Sequence, residues 1–328
     1  MINEYFFLLI LIINLIAFSR IDKFSIKLSL YDKPDYLRKI HKKKVSLLGG
    51  PILFLNIFTY LIFKLIENYN YSDLILIFIT TTTFIINLIN DKKNISPSYR
   101  LIFAYLIFFC WVIFDNQMLV SNLNFNFQNI NIYLGNWGFL ITPLFILIFL
   151  NALNLFDGVN LQSISYFIIF LFFLFLNGFD ILNFYPLIIF LILFIFYNYK
   201  NKIFLGDSGV SVLAVILSYL TITNYNNSDL LFCEEILFIM FIPGIDMLRL
   251  YFFRIYKKKN PFNADKNHLH HLYLEILDNK YIFLVQFFFY IFFLTGLYYF
   301  NLNINLILIF MTIIYITLLS YAKFRKKL

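Results

Sequence analysis

Apolar runs close to the length of a bilayer crossing recur along this 328-residue chain. A hydrocarbon core about 30 Å thick takes about 20 mostly apolar residues in a helix, and runs of about 18 or more read as transmembrane helices. The chain is 61% hydrophobic and 22% aromatic, with 13% charged residues, which excludes an ordinary soluble domain. The first run, Tyr5 to Phe18, follows Glu4 rather than a basic region and lacks a small-residue cleavage pattern, so it reads as a membrane helix, not a signal peptide. Cys110 and Cys233 fall in or beside such runs and form neither a metal pattern nor a disulfide pair, so they read as small apolar fillers.

The pattern predicts an all-α polytopic membrane protein with about eleven transmembrane helices. Their expected ranges are 4–19, 46–66, 73–90, 99–116, 138–155, 161–178, 182–198, 208–225, 231–255, 281–300 and 303–321. Pro243-Gly244 lies inside the ninth and predicts a kink or break. An odd number of crossings puts the termini on opposite faces, and basic residues mark the cytoplasmic side. With the N-terminus outside and the C-terminus cytoplasmic, every one of the 26 basic residues except Lys64 falls on the inner side. The net charge of +8 is then an inner-face property. It sets orientation and attracts anionic headgroups, and it also suits a landing site for phosphorylated substrates. The loop 117–137 alternates loosely between polar and apolar residues and predicts a small outer hairpin. No internal repeat or extra soluble domain is visible, so 1–328 reads as a single membrane domain.

Five polar segments gather at inner helix ends. The first runs from Asp32 through Arg38, Lys39 and His41 to Gly49-Gly50-Pro51. Glycines at a helix entry allow a close backbone approach to a ligand, though a basic juxtamembrane loop explains the charges as well. The second is Asn90-Asp91-Lys92-Lys93, which also suits an exposed ion pair. In the third, Asn151 and Asn154 share a helix face at i and i+3 and Asp157 continues the stripe before Gly158. Oxygens so placed can ligate a hard cation or order a phosphate. The fourth is Phe204-Leu-Gly-Asp207-Ser-Gly209. It places an acid at a helix start, either as a cap or beside a bound Mg²⁺ and phosphate. The fifth holds His268, His270 and His271. Their spacing lacks the usual partners of a zinc site, and imidazoles beside phosphate fit better. A carboxylate such as Asp207, Asp91, Asp157 or Asp246 at a span end is costly without a role.

In this order and on this face, the segments from Asp32 to His271 resemble the polyprenyl-phosphate N-acetylhexosamine-1-phosphate transferases of glycosyltransferase family 4. The resemblance is closer to the bacterial branch that primes O-antigen, teichoic acid and related surface glycans than to the phospho-MurNAc-pentapeptide branch. It implies transfer of a sugar-1-phosphate from a UDP-activated amino sugar to polyprenyl (undecaprenyl) phosphate in the bacterial cytoplasmic membrane. UMP is released and Mg²⁺ is used, with Mn²⁺ as a substitute. It further implies metal ligation by Asp207 and Asn154, and catalytic roles for Asp91 and Asp157. Substrate contacts fall to Lys39, His41, Asn151, His268, His270 and His271. Membrane lipid and a second copy of the chain are expected partners, and nucleic acid is not.

Asn90 departs from the family's paired acids, Asn87 stands where many relatives have glycine, and Asn160 replaces an acid after the Asp-Gly step. Asparagine keeps an oxygen ligand but is no base at neutral pH. Two other readings stay open. A transporter or flippase for a lipid-linked or anionic solute would use the same basic inner face, but it needs polar residues along a path across the membrane. An inactive scaffold of a glycan-assembly complex would tolerate Asn90.

Overall fold

The computed structural model describes residues 2–34, 41, 43–93, 95–179, 185–227, 231–261 and 267–325. Lys39 lies outside the described residues. The chain divides into two compact units. One comprises Met1–Gln117 and Asp180–Tyr219, the other Met118–Phe179 and Leu220–Leu328.

The first unit opens with α1 (Ile2–Ser19), bent by 75° into the short α2 (Ile21–Leu28). Strands β1 (Tyr31–Asp32) and β2 (Val45–Ser46) pair antiparallel. Helices α3 (Gly49–Glu67), α4 (Tyr71–Lys93) and α5 (Pro97–Phe114) follow. Pro97 opens α5, where its missing N–H costs nothing and its φ is preset. Burial of apolar surface gives little drive for helix association in lipid, so polar pairs and close packing must fix it. Asn14 and Asn56 supply one such pair. Both are buried, and each amide donates to the other's oxygen, at 2.6 and 3.1 Å, joining α1 to α3.

The second unit contains the expected hairpin. Strand β3 (Asn122–Phe125) pairs with β4 (Ile130–Tyr133), Asn122 opposite Tyr133 and Phe125 opposite Ile130. Gln128 and Asn129 both take positive φ, 58° and 52°, to close the turn. Buried Glu234 anchors the turn by accepting the Asn126 and Phe127 N–H groups at 3.2 and 2.9 Å. The unit continues with α6 (Gly138–Phe156) and α7 (Gln162–Leu176). In the first unit come α8 (Tyr185–Tyr199) and the start of α9 (Gly206–Asn227). The second unit resumes with α10 (Cys233–Ile239), α11 (Phe241–Tyr256), α12 (Leu269–Tyr273), α13 (Asn279–Tyr298) and α14 (Ile304–Arg325).

The described residues of the expected apolar segments lie mostly on helices. Among the described residues, seven helices are long and apolar enough to cross a membrane, or up to nine if each bent pair is one span. Gln162–Leu176 and Leu187–Tyr199 are shorter. A helix of 15 residues such as α7 reaches only about 22 Å at 1.5 Å per residue, less than the hydrocarbon thickness. The chain is thus an all-α, multi-pass membrane protein.

The break foreseen at Pro243 is present: α10 and α11 meet at 78°. Proline at 243 leaves the Ile239 carbonyl without its helical donor. Two buried tyrosines replace that donor, Tyr166 at 3.1 Å and Tyr290 at 2.8 Å, and the Tyr290 hydroxyl also accepts the Ile242 N–H at 3.1 Å. Tyr290→Phe removes both bonds and strands a buried N–H, a loss of about 1–3 kcal/mol. A clear fall in the melting temperature of the detergent-solubilised protein is expected. Pro243→Ala restores a donor for Ile239, so the double variant should lose less than the sum of the two single changes.

Candidate functional site

In the first unit, the entry of α3 is stitched to the segment before α9. The Phe204 N–H donates to the Ser46 carbonyl at 2.7 Å, and the Gly49 N–H donates to the Phe204 carbonyl at 3.1 Å. Ser46 and Ile203 form a parallel bridge. A Cβ on Gly50 would lie 2.4 Å from Ser208 Oγ and 2.5 Å from the Gly209 nitrogen, and one on Gly209 would lie 2.8 Å from the Gly50 Cα. Gly50 and Gly209 therefore approach each other's backbone closely. Their contact sets the position of Asp207.

Gly206 has φ +72°, a conformation glycine adopts without penalty, and a Cβ there would lie 2.9 Å from Asp91 Oδ2. With Gly206 so turned, Asp91 accepts the Asp207 and Ser208 N–H groups at 2.9 and 3.1 Å. The carboxylate at the end of α4 thus caps the N-terminus of α9, where the helix leaves N–H groups unpaired and favours negative charge. Asp207 Oδ2 accepts from Asn90 Nδ2 and Arg100 Nη1, both at 2.6 Å, while the Asn90 oxygen takes the Ile95 N–H at 2.8 Å. The Asp207 side chain is 37% exposed, open enough to take a further ligand. His41 packs edge-on against Phe204 and lies 3.4 Å from Asp32 Oδ2, which brings the first segment beside the fourth. Sequence reasoning assigned Arg100 no role. Its signal was an arginine a few residues beyond the Asn-Asp pair.

In the second unit the third and fifth segments meet. Asp157 does not continue a helical stripe. α6 ends at Phe156, and Asp157 is its C-cap, where it accepts the Ser163 hydroxyl at 2.6 Å. Asn151 and Asn154 also separate in role. Asn151 donates to the Tyr251 hydroxyl and ties α6 to α11, whereas the buried Oδ1 of Asn154 has no partner. That oxygen suits a hard cation or a donor on a substrate. Leu161, in the turn into α7, holds φ +62°, a left-handed conformation that costs a non-glycine residue about 1–2 kcal/mol. Strain of this kind concentrates at functional loops.

Gly158 is where the His270 ring approaches: a Cβ there would be 2.0 Å from Nε2. The three imidazoles cluster, with centroids 5.4 Å apart for His268 and His270 and 4.4 Å for His270 and His271. Burial first, and the neighbouring His271 and His268 next, hold the His270 pKa well below the usual imidazole range. Asp246 organises the segment. It is buried, accepts Arg249 Nη2 at 2.7 Å, the Tyr315 hydroxyl at 2.9 Å and the Leu269 N–H at 3.3 Å, and lies 3.4 Å from His268 Nδ1. Arg249 also donates to the Asn267 carbonyl at 2.7 Å, and Arg254 lies 3.4 Å from His268 Nε2. Sequence reasoning flagged Asp246 by its depth but assigned it no role, and it missed both arginines. Among the described residues, no three His, Cys, Asp or Glu side chains are grouped to hold a metal ion.

Residues 74–225 match the profile of Glycosyl transferase family 4. That segment contains Asn90, Asp91, Arg100, Asn151, Asn154, Asp157 and Asp207. Over 264 residues the chain is 25% identical to an undecaprenyl-phosphate alpha-N-acetylglucosaminyl 1-phosphate transferase of Escherichia coli O157:H7, covering 76% of this chain and 70% of the relative. The Salmonella typhi protein of the same name is 26% identical with the same coverage. A probable undecaprenyl-phosphate N-acetylglucosaminyl 1-phosphate transferase of Bacillus subtilis is 26% identical over 276 residues, 81% of this chain and 75% of its own length. Residues 74–225 thus resemble glycosyl transferase family 4, and the relatives that the chain is similar to are named as phosphotransferases.

Proposed function

We propose that this enzyme transfers an N-acetylhexosamine-1-phosphate of GlcNAc type from a UDP-sugar to undecaprenyl phosphate at the cytoplasmic face of a bacterial inner membrane. UMP is released, in the first membrane step of surface-polysaccharide synthesis. The observation that carries the reading is the match to relatives named for this transfer across segments that hold Asp91, Asn154, Asp157 and Asp207. An oxygen of the lipid phosphate forms a bond to the sugar-bearing phosphorus, and the bond from that phosphorus to the UMP oxygen breaks. Both reactants are anions, so the protein's task is positioning and charge neutralisation.

Asp207, exposed at a helix start, is the proposed Mg²⁺ ligand. The ion would neutralise diphosphate charge there. Asn154 is proposed as an oxygen donor to cation or phosphate. Asp157, held by Ser163, is the proposed catalytic acid of its loop. Asp91 has both oxygens on backbone N–H groups, which supports a positioning role through Asp207 more than proton abstraction. His268, His270 and His271 are proposed to receive the diphosphate, and Lys39 and His41 are proposed as separate substrate contacts of the first segment.

Membranes containing the enzyme, given Mg²⁺, undecaprenyl phosphate and a panel of labelled UDP-sugars, should release UMP with an N-acetylhexosamine donor. Asp207→Asn should reduce release by 100-fold or more, on the order expected for losing a key electrostatic group. Transfer at the wild-type rate by that variant, or transfer insensitive to chelator, refutes the assignment. Gly158→Ala should also impair transfer without loss of fold, because the added methyl displaces His270.

The depressed His270 pKa fixes the sign of a pH effect. Below the ordinary imidazole value of about 6.5 the unfolded chain protonates this group while the folded chain does not, so stability falls as the pH falls. The melting temperature should decline between pH 7 and pH 5.5, and His270→Gln should flatten that part of the profile. An equally steep decline in the variant would exclude His270 as its cause.

A further inference from the structure

Asp207 is compensated from inside the protein. Its Oδ2 receives two donors at 2.6 Å, the Asn90 amide and the Arg100 guanidinium. Arg100 supplies a full positive charge, and its Nε is buried without a partner. The guanidinium is therefore held on Asp207 at a single nitrogen, which suits a counter-ion that can leave. Asn90 is buried and engaged at both ends, donating to Asp207 and accepting the Ile95 N–H. An acid at 90 could still accept from Ile95. Toward Asp207 it would present an oxygen where the amide presents a donor, and a second negative charge where there is none.

We propose that Asn90 and Arg100 form a built-in counter-charge that holds Asp207 in place without a metal and sets a low affinity for divalent cations. A cation arriving at Asp207 meets one free carboxylate rather than two, since Asp91 is committed to the Asp207 and Ser208 N–H groups. It also meets the positive charge of Arg100 and must displace it. The proposal rests on the reading that Asp207 binds Mg²⁺. It adds that the chain trades cation affinity for a site that is ordered before the cation binds. Arg100, once displaced, is free to face an anionic substrate.

The test uses the full-length protein in detergent, with Mn²⁺ as probe. Binding is followed by loss of the free-ion electron paramagnetic resonance signal, and stability by melting temperature with and without the ion. The wild type should bind Mn²⁺ weakly and melt at nearly the same temperature with or without it. Asn90→Asp should bind ~10-fold more tightly or better, since a carboxylate is added within contact distance of a divalent ion. Its metal-free form should melt lower, because two carboxylates then repel each other, and Mn²⁺ should restore it. Arg100→Gln should also tighten binding, and it decides the matter if Asn90→Asp does not fold. Unchanged affinity in the variant that folds overturns the proposal.

UMP release by the wild type is measured in parallel. Release with unshifted Mn²⁺ affinity in the variants sinks the counter-charge and leaves the transferase reading standing. Shifted affinity with no release from any UDP-sugar does the reverse.

Discussion

The backbone contact between Gly50 and Gly209 fixes the position of everything else in the first constellation. In lipid, side chains gain little by leaving the hydrocarbon, so helix placement depends on close packing and on polar groups that must find partners. Two glycines facing each other let the entry of α3 reach the start of α9, and the Ser46–Phe204–Gly49 hydrogen bonds lock the approach. That contact fixes where α9 begins. The N–H groups exposed there are the ones Asp91 takes, and Asp207 is held one residue along. A side chain at either glycine would separate the two helices and the acid would move with α9.

The second unit solves a different backbone problem with the same kind of device. Proline at 243 frees a carbonyl that lipid could not satisfy, and two tyrosine hydroxyls serve it. The bend so made starts a new helix, α11, within whose first two turns lies Asp246. From that position Asp246 can take the N–H of Leu269 and face His268. The histidines are thus held by a chain of contacts that begins at the break. In both units the carboxylates of the site lie near helix ends, where backbone groups are unpaired by geometry and a carboxylate finds donors already waiting.

Much of the helical plan was legible because apolar runs, flanking charges and Pro243 act locally. The hairpin was legible for the same reason. Which residues would meet was harder to read. With most surface positions apolar, sequence cannot tell a lipid-facing leucine from a buried one: Ile192 is exposed and Leu191 buried on the same helix. Gly49-Gly50 looked like a ligand cradle because glycine permits any close approach, and only packing reveals what approaches. Asp157 looked like the end of a stripe because spacing does not show where a helix stops. Arg100 had a sequence signal no stronger than that of other basic residues near helix ends, and its value comes from a partner 107 positions away.

Asn90 shows why a departure from a family pattern has to be weighed in its surroundings. Taken alone, an amide in place of an acid removes a charge, and with it a base. Beside Asp207 and Arg100 the same change removes a repulsion and adds a donor. A paired acid there would leave Asp207 facing a second carboxylate with only Arg100 to offset them, and the pair would depend on a cation for its order. The amide makes the arrangement self-sufficient, because every group that touches Asp207 Oδ2 is then a donor. What differs from the acid pair is the state of the protein before anything binds.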